Sequence, residues 1–341
     1  MFDFPVLVGD IGGTNARFGI VEARGAQPRM LSHEATADHP DPSAAIQASL
    51  AKAQAKGAGA VPRSAILAIA GRVDAPAVQL TNAHWVIEGA AVGRDFGLSR
   101  VVMVNDYVPV AAGASGIHPE ELTPVGPHRE PGNGARVVLG PGTGFGAAAL
   151  VPYTDRLAIV STEAGHTDLG PTDAAEAEVW AAVERVEGRV TVETLLSGPG
   201  LARIDAAIRR VRDGSGDAPA RDPALVTQAG LSGEDPCARE ALEFFARVLG
   251  RVCGDLALTF LATGGVYIGG GIAPRIIPIL DDGGFRGAFE RKPPFVPQMQ
   301  AIPTSVITVH DPALNGLAAL AREGDRFVYH GQVWESGRGN L

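Results

Sequence analysis

Apolar and polar residues recur along the chain with two different periods, and these periods predict strands and helices in alternation. Short apolar runs predict buried strands, at residues 6–10, 64–70, 101–104, 137–140 and 306–309. Segments with apolar residues at helical spacing predict helices, at residues 42–56, 88–96, 173–186, 201–212, 236–263 and 312–322. Strands that alternate with helices are typical of α/β folds. We therefore expect an α/β protein, and the pattern determines the tail after Gly324 only poorly.

The first glycine-rich stretch, residues 11–15, separates the opening strand from a returning strand at residues 16–21. Two glycines between β-forming residues predict a hairpin turn. Asp10 ends the first strand, where a carboxylate can hold a hydrated Mg²⁺, while the Thr14 hydroxyl and the turn's N–H groups face phosphate oxygens. The stretch is not a P-loop, because no Gly-Lys-Ser/Thr sequence follows it. A plain hairpin without a ligand is the alternative interpretation.

Two further glycine-rich stretches follow predicted strands. Gly142-x-Gly144-x-x-Ala147 matches the dinucleotide fingerprint, but that fingerprint needs a helix directly after the glycines, and the sequence predicts strands there. A second hairpin that holds phosphate is therefore favoured. The third stretch, residues 269–271, has three consecutive glycines, which exceeds what a turn requires and lets the backbone lie flat against adenine or ribose. A strand-to-helix turn is its plain alternative.

Asp106 follows the most apolar of the predicted strands, Val101-Val102-Met103-Val104-Asn105. Open α/β sheets bind their ligands at the carboxyl ends of their strands. A half-buried carboxylate at that position is suited to act as a general base toward a bound hydroxyl. The alternative is that Asp106 caps the next helix.

Polar loops elsewhere carry candidates for sugar recognition. Glu163 and His166 lie in a loop bounded by glycines, where a carboxylate accepts from adjacent hydroxyls and a histidine donates or accepts. Their Glu-x-x-His spacing also occurs in metal sites on helices. A metal site is not favoured here, because we expect a loop rather than a helix and the sequence contains no second copy of the motif that would complete such a site. An ordinary surface loop is the other alternative. Glu193 is a weaker candidate, and Thr81 and Asn82 are equally consistent with ligand contact and with loop capping.

Composition and charge narrow the classes of partner. The chain has 341 residues and a net charge of -9, without a block of basic residues, so a nucleic-acid partner is not expected. No apolar run reaches the length of a membrane span, and the N-terminus lacks the pattern of a secretory signal. The two cysteines fit a reducing cytoplasm and form no zinc-binding cluster. We therefore expect a cytoplasmic protein without a membrane partner.

Taken in order, these stretches resemble the bacterial glucokinase family of the hexokinase, actin and Hsp70-like superfamily. The resemblance covers residues 8–320 and rests on short motifs. They are Gly9-Asp10-Ile11-Gly12-Gly13-Thr14-Asn15-Ala16-Arg17, Asn105-Asp106, Gly140-Pro141-Gly142-Thr143-Gly144, Glu163-Ala164-Gly165-His166, Leu196-Ser197-Gly198-Pro199-Gly200 and residues 264–275. This resemblance implies that the protein phosphorylates D-glucose with ATP and Mg²⁺, and that the glucose 6-phosphate formed enters glycolysis.

The resemblance also implies a role for each matching residue. Asp106 is implied as the base for the 6-hydroxyl. The residues implied for the other sugar hydroxyls are Asn105, Glu163, His166 and Glu193, and Asn82 at its polar strand end is a further candidate for substrate contact. Those implied for the first phosphate turn are Gly9, Asp10, Ile11, Gly12, Gly13 and Thr14, with Asp10 near the metal through water. The second phosphate turn comprises Gly140–Gly144, with Gly142, Thr143 and Gly144 at its tip, and the adenosine side comprises Gly269, Gly270 and Gly271.

For the whole chain, the resemblance implies two ribonuclease-H-like α/β domains with a ligand cleft between them, and a homodimer. We expect a small domain of residues 1–115 and 309–325, against which the last helix packs, a large domain of residues 116–308, and a tail of residues 326–341. The chain departs from the family's Glu-Gly-Gly-His loop at Ala164, and it lacks the cysteine cluster of related zinc-containing kinases, which favours the zinc-free branch.

Three alternatives remain at this point. The same fold also serves kinases of other hexoses, such as mannose, fructose or an amino sugar. A sugar-sensing regulator without catalysis is a second alternative, although Asp106 and both phosphate turns are present and no helix-turn-helix is appended. A nucleotide-dependent dehydrogenase is the third, and the missing helix after Gly144 argues against it.

Overall fold

The computed structural model describes residues 1–80, 83–214, 220–337 and 339–340. The strands are β1 (Val6–Ile11), β2 (Asn15–Val21), β3 (Arg29–Ala35), β4 (Ser64–Ile69), β5 (Ala77–Gln79), β6 (Val86–Glu88), β7 (Arg100–Asn105), β8 (Leu122–Pro124), β9 (Arg136–Pro141), β10 (Phe145–Tyr153), β11 (Arg156–Thr162), β12 (Val266–Ile268), β13 (Thr304–Ile307), β14 (Phe327–Tyr329), β15 (Gln332–Glu335) and β16 (Gly339–Asn340). The helices are α1 (Pro42–Ala55), α2 (Gly89–Asp95), α3 (Tyr107–Ala114), α4 (Ala174–Ala182), α5 (Val192–Leu195), α6 (Gly198–Asp213), α7 (Pro223–Ser232), α8 (Pro236–Phe260), α9 (Ile277–Leu280), α10 (Gly284–Glu290), α11 (Val296–Ala301) and α12 (Pro312–Arg322).

The first sheet has the strand order β16-β15-β7-β4-β1-β2-β3. Its central strands β1, β4 and β7 are parallel, and β2 returns antiparallel to β1 as the predicted hairpin. In the pairing register Ile11 lies opposite Ile69, and Ile69 lies opposite Asn105. The ends of β1 and β7 are therefore level, and both predicted functional strand ends lie at one edge of this sheet.

The second sheet has the order β14-β11-β10-β9-β12-β13-β8. Its parallel strands β9, β12 and β13 and its neighbouring strands β10 and β11 repeat the arrangement of β1, β4, β7, β2 and β3. The glycines after β9 thus open a second hairpin, as predicted. The dehydrogenase interpretation is wrong here, because strand β10 rather than a helix follows Gly144.

Backbone contacts divide the chain into two compact units. Unit 1 comprises Met1–Ile117, Leu150–Ser161 and Val309–Leu341, and unit 2 comprises His118–Ala149 and Thr162–Thr308. Each unit has its own buried apolar cluster, the first around β1, β4 and β7 and the second around β9, β12 and α8. Both units combine strands with helices, which confirms the expected α/β class.

Close helix packing in unit 1 fixes the backbone after Asp106. Helix α12 packs against α3, as the expected return of the last helix requires. A Cβ added at Gly113 would lie 3.6 Å from Cα of Gly316, and one added at Gly316 would collide with the carbonyl of Pro109. Two glycines therefore let these helices approach closely, and α3 cannot shift without moving α12.

Several predicted boundaries are wrong. Helix α4 ends at Ala182 because Val183 is extended, and α8 ends where Leu261 adopts a left-handed backbone with φ of 48°. Helix α6 begins at Gly198, three residues early, because the Ser197 side chain caps it. Strand β13 ends at Ile307, two residues before the expected end.

The tail after Gly324, which the sequence pattern determined only poorly, contains strands in the described residues. Strand β15 pairs antiparallel with β7, placing Trp334 opposite Val101, and β14 pairs in parallel with β11. The Trp334 ring packs so closely on Gly93 that a Cβ there would collide with it. Gln332–Glu335 mixes polar and apolar residues, so its strand conformation depends on pairing with β7 and β16 rather than on a local pattern.

No helix in the described part of the chain combines the length and apolarity needed to cross a membrane. The longest, α8, carries charged residues on one face and buries its other face against α6, α7 and α10. The buried face of α8 contributes many of the residues in the apolar cluster of unit 2.

Candidate active site

Asn105 and Asp106, at the end of β7, have different local roles. The Asn105 side chain donates from Nδ2 to the Gly71 carbonyl at 3.1 Å, and its Oδ1 accepts from the Tyr107 N–H at 3.0 Å. It thereby caps the first turn of α3. The half-buried Asp106 side chain makes no capping hydrogen bond to α3, and its N–H donates to the Ile69 carbonyl at 3.1 Å. Asp106 occupies the N-cap position of α3, but the side chain that bonds the first turn is that of Asn105.

The turn between β1 and β2 is closed by its own backbone. The Gly12 N–H donates to the Asn15 carbonyl at 2.9 Å, and the Thr36 hydroxyl donates to the Gly12 carbonyl at 3.2 Å. Thr14 is exposed at the tip, while Gly12 and Gly13 are half-buried. Because the Gly12 N–H is already engaged, the predicted phosphate contacts fall on Gly13 and Thr14.

Packing explains the glycine that precedes Asp10. A Cβ at Gly9 would lie 2.8 Å from Cδ2 of Leu67 and 3.2 Å from the Phe18 ring. This glycine therefore allows close packing inside the first sheet rather than close approach of phosphate. Ile11 is likewise fully buried.

Asp10 belongs to a charged group that the sequence analysis missed. Arg17 lies opposite it in the β1–β2 register and bonds its Oδ2 at 3.2 Å, while Arg17 Nε lies 3.5 Å from Oδ1 of Asp311. Burial raises the pKa of Asp10 above its ordinary value, and the Arg17 charge offsets this only in part. A hairpin centred on the turn pairs positions 10 and 17, which is the signal that could have identified Arg17. No comparable signal pointed to Asp311.

The donor set at Asp10 fits a hydrated magnesium ion. Mg²⁺ binds oxygen ligands, takes one or two carboxylates from a protein and keeps several of its waters and phosphate oxygens. Within the described residues, no three His, Cys, Asp or Glu side chains are grouped as a metal site. A Mg²⁺ ion that is bound through its waters and through phosphate oxygens does not require such a group. A cation would also stabilise the charged form of the Asp10 carboxylate, which burial disfavours.

The second turn, between β9 and β10, is held from both sides by the segment that contains α5. The Gly142 N–H closes the turn by donating to the Gly144 carbonyl at 2.8 Å, and the Gly142 carbonyl accepts from the Gly198 N–H at 2.8 Å. On the other side, Glu193 Oε2 accepts from the Phe145 N–H at 2.8 Å. Thr143 is exposed at the tip, as Thr14 is in the first turn.

Glycine at position 144 leaves room for a neighbouring carboxylate. A Cβ there would lie 2.5 Å from Oε2 of Glu193, so the carboxylate occupies the space beside the turn. Glu193, half-buried, is thus committed to the turn through one oxygen. Its predicted contact with sugar would use its other oxygen.

The third glycine stretch lies directly against the second turn. A Cβ at Gly140 would lie 2.5 Å from the carbonyl carbon of Gly269, and Gly270 has a φ of 79° that favours glycine. The Gly269 N–H donates to the Leu139 carbonyl at 2.7 Å. The structure therefore brings the predicted phosphate and adenosine residues of unit 2 together, with Gly270 and Gly271 exposed.

Glu163 precedes and His166 ends a single 3-10 turn, Ala164–His166, and neither residue lies in an α-helix. Their side chains are 50% and 63% exposed and 3.9 Å apart, which leaves both accessible to a polar solute. A Cβ at Gly165 would collide with the Phe145 carbonyl. The family's second glycine is therefore required here, while the position of Ala164 accepts a methyl group.

Arg189 forms hydrogen bonds to the loop that contains Glu163 and His166, and the sequence did not identify this residue. Its Nη2 donates to the His166 carbonyl at 3.1 Å, and its Nε donates to Oδ1 of Asp168 at 2.9 Å. Thr81 and Asn82, the remaining predicted contacts, lie outside the described residues. The structure thus places Asp10 and Asp106 at the same edge of the first sheet. Within unit 2 it brings the second and third glycine stretches together with Glu193 and with the loop that carries Glu163 and His166.

Known proteins resemble this chain over nearly its whole length. The glucokinase family model matches residues 7–324. The glucokinase of Agrobacterium fabrum is 43% identical over 337 residues, which cover 98% of this chain and 97% of that protein. The glucokinase of Mesorhizobium japonicum is 41% identical over 335 residues, which cover 98% of this chain and 96% of that protein.

Solved structures agree with this relationship. The crystal structure of a glucokinase from an Antarctic psychrotroph has a TM-score of 0.79 and 31% identity, and the match covers 95% of this chain and 100% of that one. The expected fold class, α/β of the actin and hexokinase type in two units, is confirmed by this match and by the repeated sheet order. Since both the family model and whole-length relatives match, the chain belongs to the glucokinase family.

Proposed function

We propose that this protein transfers the terminal phosphoryl group of ATP to the 6-hydroxyl of D-glucose, giving glucose 6-phosphate and ADP. Membership of the glucokinase family supports glucose as the sugar. The observation that carries the chemistry is the division of roles at the end of β7. The Asn105 side chain caps α3, and Asp106 follows directly at the carboxyl end of the buried strand β7, where a base is needed.

Asp106 acts as the general base in this proposal. It accepts the proton of the 6-hydroxyl while that oxygen forms a bond to the terminal phosphorus and the bond to the ADP oxygen breaks. Phosphoryl transfer leaves little covalent work for the protein, so most of the catalysis is positioning and charge stabilisation. The packing of α3 against α12 supplies part of that positioning, because it fixes the backbone next to Asp106.

The remaining contacts are assigned by the same proposal. Asn105, Glu163, His166 and Glu193 hold the other sugar hydroxyls, as does Asn82. Gly13 and Thr14 in the first turn and Thr143 and Gly144 in the second face the phosphates, and Gly270 and Gly271 face the adenosine. Mg²⁺, held by Asp10 through water, would neutralise charge on the phosphate oxygens.

The organisation of the chain completes the proposal. We place a small domain at residues 1–115 with 309–325 and a large domain at 116–308, and we propose a homodimer in the cytoplasm. Support for a reducing compartment comes from Cys237 and Cys253, both of which are buried free thiols.

One assay tests the function directly. ADP formation is followed at fixed ATP and Mg²⁺ with glucose, mannose, fructose and an amino sugar, and glucose 6-phosphate is detected with its dehydrogenase. We expect the highest kcat/KM with glucose. A higher kcat/KM with another hexose would assign a different sugar kinase, and binding of glucose without ADP formation would assign a sugar-sensing regulator.

A further inference from the structure

The candidate sugar loop, residues 163–168, and the second phosphate turn, residues 142–145, contact each other at Phe145. Gly165 lies against the Phe145 carbonyl so closely that a Cβ would collide with it. The N–H of the same Phe145 donates to Glu193 Oε2 at 2.8 Å. The Phe145 residue is therefore held between the sugar loop on its carbonyl side and Glu193 on its N–H side.

The segment around α5, residues 191–198, makes a second connection between the same two loops. The Val192 N–H donates to the Thr167 carbonyl at 2.9 Å, and Thr191 forms an isolated β-bridge with Asp168. At its other end the Gly198 N–H donates to the Gly142 carbonyl at 2.8 Å. The α5 segment thus contacts the sugar loop at one end and the phosphate turn at the other.

Glu193 is the side chain at the centre of this connection. Its carbonyl accepts from the Ser197 hydroxyl at 2.8 Å, so its backbone is fixed within the segment, while its carboxylate fills the space beside Gly144. Removing the carboxylate would release the Phe145 N–H but leave the backbone bonds of the segment in place.

We infer that Glu193 is a positioning residue that couples sugar binding to nucleotide binding. Sugar held by the loop orders Phe145, and Glu193 passes this order to the phosphate turn, so that ATP binds more tightly to the sugar-bound protein. The inference rests on the proposed function for the sugar loop. Coupling between two sites is reciprocal for binding equilibria, so ATP must tighten sugar binding by the same factor.

Calorimetry measures this coupling. The Kd of a non-hydrolysable ATP analogue with Mg²⁺ is determined with and without saturating glucose, and the ratio is the coupling factor. We expect a factor of at least about 5 in the parent, in the usual range for coupled sites. Glucose titrated with and without the analogue must return the same factor. A parent factor near 1 overturns the inference.

Variants then identify the residue responsible. In Glu193→Ala we expect the factor to fall to within about twofold of 1, because the Phe145 N–H loses its acceptor. Glu193→Gln keeps an acceptor oxygen and should retain most of the coupling. Gly144→Ala places a methyl group 2.5 Å from the Glu193 oxygen and should reproduce the loss. Parent-like coupling in Glu193→Ala overturns the inference.

Glu163→Gln is the matched control, since it alters the sugar loop without touching Phe145 or the turn. It should weaken glucose binding while the coupling factor stays within about twofold of the parent. Thermal unfolding midpoints confirm that each variant is folded. A parent with normal glucose-dependent turnover but no coupling overturns only this inference, whereas a parent that forms no glucose 6-phosphate overturns the proposed function.

Discussion

At the scale of single residues, the end of β7 shows how one strand terminus serves both folding and chemistry. Asn105 uses its amide to join the Gly71 carbonyl and the Tyr107 N–H, and so fixes where α3 starts. Asp106, the next residue, is then presented at the carboxyl end of a buried parallel strand. A carboxylate at the carboxyl end of a buried strand lies where open α/β sheets bind their ligands, which suits a base that must meet a substrate proton.

Asp106→Asn should separate these roles. The amide keeps the shape of the side chain but cannot accept the proton of the 6-hydroxyl, so we expect turnover to fall by about 10²–10⁴-fold. Glucose binding, measured by calorimetry on the same preparation, should persist. Asn105→Ala is the matched comparison: it should lower the free energy of unfolding by about 1 kcal/mol through loss of the cap, and it should also weaken glucose binding because Asn105 is proposed to hold a sugar hydroxyl. Turnover of Asp106→Asn within a few-fold of the parent would place the base elsewhere.

At the scale of elements, the start of α8 ties together three segments of unit 2. Its N-cap Asp235 accepts from the Ala238 N–H at 3.1 Å and from Arg221 at 2.9 Å, and it also bonds Arg209 of α6. Burial acts to raise the pKa of Asp235, but the Ala238 N–H and the two arginines outweigh it and lower the pKa to about 2. Buried Asp205 accepts from the same two arginines.

This lowered pKa predicts a pH-dependent stability. The folded-state pKa of about 2 lies below the ordinary 3.8, so the stabilisation is present above pH 4 and is lost as the pH falls toward 2. At neutral pH it amounts to about 2 kcal/mol. The unfolding free-energy difference between the parent and Asp235→Asn should therefore shrink by about half between pH 5 and pH 3.

Asparagine also caps helices well, so Asp235→Asn loses chiefly the arginine charge interactions. Asp173→Asn provides the control, because Asp173 caps α4 by accepting from the Glu176 N–H at 2.9 Å but has no such pair of arginines. Denaturation at several pH values measures the free energy of unfolding of each variant. The difference between the parent and Asp173→Asn should change less with pH than the difference between the parent and Asp235→Asn. An equal pH-dependent loss in both variants would assign the effect to capping.

At the scale of the whole molecule, the final residues complete the sheet that carries the predicted base. Strand β15 covers the edge of β7, and Arg100 at the start of β7 donates to Glu335 at 2.8 Å. Trp334 packs on the apolar cluster of unit 1 next to Gly93. The chain terminus thus supports the same strand from which Asp106 emerges.

Trp334→Ala should lower the free energy of unfolding of unit 1 by about 2–3 kcal/mol, below the range for fully buried tryptophan because this side chain is half-exposed. Hydrogen exchange of peptides from β4 and β7 should accelerate, while peptides from α8 in unit 2 should keep their protection. Phe295→Ala, which removes a ring that is 48% exposed, should change stability by only about 0.5 kcal/mol. Equal acceleration in both units would show that they unfold together.

The sequence by itself determined the α/β class, both glycine hairpins, the buried strand before Asp106 and the last helix, because these depend on local periodicity and on glycine or proline signals. It also determined the family, through short motifs in a fixed order. Only the tertiary structure decided the partners of these residues. Contacts such as Arg17 with Asp311, Glu193 with Phe145 and β15 with β7 join positions far apart in the chain, and local pattern does not specify them. The reason for a glycine is likewise a property of its neighbours in space, as Gly144 beside the Glu193 carboxylate shows.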